Sequence, residues 1–150
     1  MLTPQAKNEL KPIFDSYFEL KNALTKDDLS IAKASAATML ASVEKVNMSE
    51  FKGDAHVEWM KYEKNIKVDL VRIKSAKSLE EIRKSFLSLS DEMVGMAENF
   101  TPLASKIYVQ HCPMADSNKG ANWLSLEEKV MNPYFGKGML SCGEVTKTIQ

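Results

Sequence analysis

Cysteine is scarce in this chain: only Cys112 and Cys142 occur in 150 residues. Two thiols permit one bridge at most, so no disulfide framework organises the fold, and at this length a hydrophobic core suffices without one. Net charge is also lacking. Twenty basic residues cancel twenty acidic ones, and no Lys/Arg cluster is interleaved with aromatics, which argues against a nucleic-acid partner. No apolar run approaches the ~20 residues that span a bilayer, so membrane insertion is not expected. Met1 to Glu9 lacks the apolar core of a signal peptide. That start reads equally as a native terminus or as one left by removal of a signal, so the compartment stays open. The sequence shows no Gly-rich phosphate cradle, no nucleophile with a base at recognisable spacing, and no carboxylate pair distinct from helical surface. An enzyme is therefore not expected.

What the chain has in excess is methionine, nine in all, against average use of roughly two per hundred residues. Adaptable core filler is the default role. Met93 and Met96 fit it, falling on the apolar stripe of a helix.

Up to about residue 100 the apolar positions recur at three and four, the stripe of amphipathic helices. Leu10, Ile13, Phe14, Tyr17, Phe18 and Leu24 mark the first, with Thr3-Pro4 capping an initial turn and the main body expected to begin near Pro12. Thr25 is the expected cap of the second, with Asp27 and Asp28 in its first turn and Ala32, Ala36, Met39 and Val43 on its stripe. Asn47 to Asp54 breaks the pattern. Trp59, Tyr62, Ile66, Leu70 and Ile73 mark the third helix, and Ser78 with Glu81 forms the capping-box pattern of the fourth. The expected fold is mainly α: an up-down four-helix bundle over 1–100, then a loop-rich segment over 101–150 packed on it, the whole forming one domain. In that segment Lys106 to Gln110 and Glu144 to Ile149 read as strands of a short hairpin, and Ser125 with Glu128 opens a short helix through about Met131.

Both cysteines lie in this last third, each near a methionine: Cys112 with Met114, and Cys142 with Met139. Thiolate and thioether sulfurs favour soft ions such as Cu(I) over hard, oxygen-seeking ones. An extended Cys112-Pro113-Met114 points both sulfurs to one face, whereas Met139 and Cys142 share a face only across a turn. Pairing of the two strands brings Cys112 and Cys142 close, which serves a metal site and a disulfide equally. Zinc is the weaker choice, since it takes four ligands and only His111, Cys112 and Cys142 are obvious donors. His111 reads as a solvated or hydrogen-bonding histidine, and His56 as a surface one.

The runs Tyr108 to Met114, Trp123-Leu124-Ser125, Asn132 to Gly136 and Met139 to Gly143 resemble the domain of unknown function 3347 family. Its members are small exported bacterial proteins and C-terminal modules of periplasmic adaptor subunits in heavy-metal efflux pumps. The resemblance implies a periplasmic or exported, copper-related role, with Cys112, Met114, Met139 and Cys142 at the family's sulfur positions. The leading expectation is thus a protein that binds Cu(I), or Ag(I), and sequesters it or delivers it to an efflux adaptor or other copper-handling protein. The alternative is a structural or protein-interaction module with a Cys112–Cys142 disulfide and no metal role.

Overall fold

Thr3 sets the start of the first helix. In the computed structural model, which describes residues 2–150, its hydroxyl accepts a hydrogen bond from the Ala6 amide at 3.1 Å. Pro4 takes the first helical position, where its missing N–H costs nothing. α1 (Pro4–Thr25) then runs on past Pro12, which corrects the expected start near that residue. Pro12 and Asn8 are both exposed, so the carbonyl that loses its intrahelical donor lies on the solvent side.

Thr25 closes α1 rather than opening α2, its hydroxyl donating to the Asn22 carbonyl at 2.6 Å. The cap of α2 (Leu29–Glu44) is Asp28, which accepts from the Ile31 amide. A single 3-10 turn, Met48–Glu50, lies in the expected break. α3 (Asp54–Ser75) buries Trp59, Ile66, Leu70 and Ile73, with Tyr62 half-buried. At α4 (Leu79–Phe100) the Ser78 hydroxyl accepts from the Glu81 amide at 3.1 Å, while the Glu81 carboxylate reaches back to the Lys77 amide. The helices pack in chain order, α1 on α2, α2 on α3 and α3 on α4. Each large apolar side chain sealed in these seams contributes roughly 1.5–3 kcal/mol. Among the described residues no helix is long and apolar enough to cross a membrane.

The C-terminal segment forms a sheet of three antiparallel strands rather than a two-stranded hairpin. β1 (Ile107–Cys112) lies between β2 (Ala121–Ser125) and β3 (Glu144–Ile149). The β1–β3 pairing was expected and β2 was not. The helix expected from Ser125 to Met131 is absent, and the chain bends there instead. The Gln110 side chain donates to the carbonyls of Glu127 and Glu128 at 3.0 and 3.1 Å, taking acceptors that a helix would use. The short helix α5 (Ala115–Asn118) falls in the β1–β2 connection, with Asp116 and Ser117 in left-handed conformations.

One hydrophobic cluster runs from Leu2 through all four long helices to Ile149. Tyr17 of α1 stacks on Phe86 of α4, which meets Tyr134, which in turn meets Trp123 edge-on. The Tyr17 hydroxyl also shares a hydrogen bond with Ser90 and accepts one from the Leu124 amide. Helices and sheet are thereby joined by a single column of rings.

Candidate functional site

The β1–β3 register pairs His111 with Glu144, and this sets the neighbouring cysteines side by side. Cys112 closes β1 and is fully buried, whereas Cys142 sits half-buried just before β3. The two are joined by a disulfide, with Cα atoms 5.7 Å apart, inside the usual range for a bridge.

The two Cys/Met pairs differ in geometry. Extended backbone at Cys112-Pro113-Met114 was expected, but the chain turns at Pro113 and Met114 has helical angles, φ −89° and ψ −15°. The side chains diverge: Cys112 is 0 % exposed and Met114 50 %. Met139 and Cys142 do share a turn, the Cys142 amide donating to the Met139 carbonyl at 3.3 Å. Both are half-buried.

Asn132 holds this second turn in place. It is fully buried, and its side chain donates to the Cys142 carbonyl at 2.8 Å and accepts from the Tyr134 and Phe135 amides. Its own amide donates to the Leu140 carbonyl. Asn132 escaped sequence reasoning, which took Asn132-Pro133 as a helix stop; a buried asparagine has no local periodicity to betray it. Gly143 is required by close approach, since its φ is +140° and a Cβ there would stand 2.9 Å from the His111 carbonyl oxygen. Behind the bridge the buried Trp123 indole donates to Gln110 at 2.8 Å.

His111 makes the hydrogen bond anticipated for it, Nδ1 lying 2.8 Å from the Asn122 amide oxygen. Burial pushes the Asp91 carboxyl above the usual range, and the Asn122 side chain draws it back. His56 lies in the first turn of α3, well away in the sequence from both sulfur runs.

A second fastening joins the segment to the bundle. Arg83 of α4 donates through Nε to the Pro133 carbonyl, and through Nη2 to the Leu24 carbonyl and to Asp27. The other Asp27 oxygen accepts from the Lys137 amide. These two donors, Arg83 foremost, hold the Asp27 carboxyl below the usual range. Gly136, at φ +56°, fits against this pair, where a Cβ would collide with both partners.

Soft-metal chemistry at this place depends on oxidation state. Thiolate is the ligating form of cysteine, and in the bridge each sulfur is bonded to the other, so Cys112 and Cys142 fit a metal only once reduced. Among the described residues no three His, Cys, Asp or Glu side chains gather as a metal-holding group.

No curated protein and no solved structure matches the chain. A family model does match, over residues 13–105. That span takes in the helical part from the body of α1 through α4, while the motifs from Tyr108 to Gly143 lie beyond it. With well over half of its length matched, the chain belongs to the family described as Protein of unknown function (DUF3347).

Proposed function

We propose that the protein is a non-enzymatic, extracytoplasmic structural and protein-interaction module, whose C-terminal segment is fastened to its helical bundle by the Cys112–Cys142 bridge. The bridge is the observation that carries this reading. Disulfides persist in oxidising compartments such as the periplasm or the exterior, in keeping with an exported protein. Closing a loop of sequence separation 30 stabilises the folded chain by roughly 3–4 kcal/mol in the chain-entropy account.

A second reading has its own support: the reduced protein binds Cu(I), or Ag(I), and sequesters it or passes it to an efflux adaptor or another copper-handling protein. Backbones 5.7 Å apart set two thiolates within reach of one ion, and Met139 shares the Cys142 turn. Met114, half exposed on the adjoining turn, is the sulfur open to an incoming partner. Transfer would proceed by exchange of sulfur ligands. Zinc fits less well, for want of a full set of nitrogen, thiolate or carboxylate donors.

Thiol counting on natively purified protein, followed by anaerobic Cu(I) titration of the reduced form, separates the two. No free thiol before reduction and no tight Cu(I) binding after it supports the structural reading. Binding after reduction that is lost in Cys112→Ser and Cys142→Ser supports the metal reading. Two free thiols in the native protein sink the first.

A further inference from the structure

At the end of the bundle where α3 turns into α4, the two helices leave a cleft of about 550 Å³, lined among others by Asp69, Arg72, Glu81, Lys84, Ser85 and Ser88. Asp69 and Arg72 are one helical turn apart on α3, and Glu81, Ser85 and Ser88 follow one face of α4. The polar groups are layered by depth. Asp69 is only 3 % exposed, and its Oδ2 is both sealed from solvent and without a hydrogen-bond partner. Arg72, Lys84 and Ser88 are nearer the rim.

A buried carboxylate oxygen lacking a partner costs free energy and calls for a reason. Burial pushes the Asp69 carboxyl above its usual range, with the Ser88 hydroxyl and then Arg72 drawing it back. Neither Arg72 nor Lys84 takes part in an ion pair among the described residues, and the Glu81 carboxylate is engaged by the Lys77 amide. The cleft therefore presents a buried acid with one unpartnered oxygen below, and at its rim two cations outside any ion pair among the described residues, beside the Glu81 carboxylate that the Lys77 amide engages.

From this layering we infer that the cleft binds a small zwitterion of the α-amino-acid type, its ammonium directed to Asp69 and its carboxylate to Arg72 and Lys84. A bare cation would meet repulsion from Arg72 and Lys84, and a bare anion repulsion from Asp69 and Glu81; a molecule bearing both charges satisfies both layers. Rotation about the broad terminal torsion of Asp69 turns its unpartnered oxygen towards the cleft, and the volume lies within the range of small-molecule sites.

Calorimetric titration of the full chain with glycine and with L-alanine tests this, with methylammonium and acetate as the two halves of the ligand. Saturable binding of the amino acids is expected, with each half at least about tenfold weaker. Asp69→Asn and Arg72→Gln should each weaken binding by about tenfold or more. Arg72 is at the surface, so that variant folds whatever Asp69→Asn does. Any one of three results overturns the proposal: no amino-acid binding tighter than about 10 mM, amino acids binding no better than their halves, or wild-type affinity in Arg72→Gln.

Discussion

Arg83 draws together the loop after α1 and the turn after Pro133 through three acceptors. Its pair with Asp27 is partly screened by water, the side chains being 18 % and 31 % exposed, so replacement should cost less than breaking a sealed ion pair. Arg83→Met is expected to lower the unfolding free energy by about 1–2 kcal/mol, read from urea titrations. Because the Asp27 carboxyl lies below its unfolded value, the gap between variant and wild type should be widest above about pH 4 and narrow as pH falls further, without closing, since the Pro133 and Leu24 carbonyls do not titrate. Asp69 behaves in the opposite sense. Its carboxyl is raised, so its favourable contribution is present below the unfolded value and is lost as pH rises through the folded one. Asp69→Asn carries no charge at any pH, and should be more stable than wild type at neutral pH while matching it in acid. An unchanged difference across that range would contradict this account. More stability with less ligand binding is the exchange expected where a site keeps a strained group.

Among the elements, the bridge makes the clearest prediction. Reduction, or Cys142→Ser, should cost roughly 3–4 kcal/mol, seen as a lowered denaturation midpoint with native helical content below it. The helices were legible because spacing and caps agree: the stripes recur at three and four, and the caps Thr3 and Ser78 stand where the sequence sets them. β1 and β3 were legible from their β-branched residues, and with them the nearness of Cys112 to Cys142. β2 was not, because Ala121 to Ser125 has no alternation of its own and becomes a strand only by pairing with β1. Ser125 and Glu128 misled for a related reason: a distant side chain, Gln110, holds the carbonyls there. The divergence of Cys112 and Met114 comes from the turn at Pro113, which proline accommodates as readily as the extended chain. Local rules thus read well wherever the chain's partners are local.

For the whole molecule, the family match and the folded unit have different edges. The match ends at residue 105, yet the core continues into Trp123, Leu124, Tyr134 and Ile149. Removing these, at roughly 1.5–3 kcal/mol each, takes away an amount comparable with the roughly 5–15 kcal/mol of a typical domain. A fragment ending at Ser105 should therefore keep its far-ultraviolet helical signal but lose near-ultraviolet dichroism and bind hydrophobic dyes; a sharp cooperative melt would show the helices self-sufficient. The position of the bridge has a mechanical consequence. Cys142 precedes β3, the last strand, and its partner closes β1, the middle one. Tension applied at the C-terminus would peel β3 from Ile149 towards Glu144 and then pass through the sulfurs directly into β1. Residues 113–141 would remain slack, with roughly 100 Å of chain hidden from the load. Reduction would release that length at once, so the same bond that fastens the segment also sets how far the molecule can be stretched.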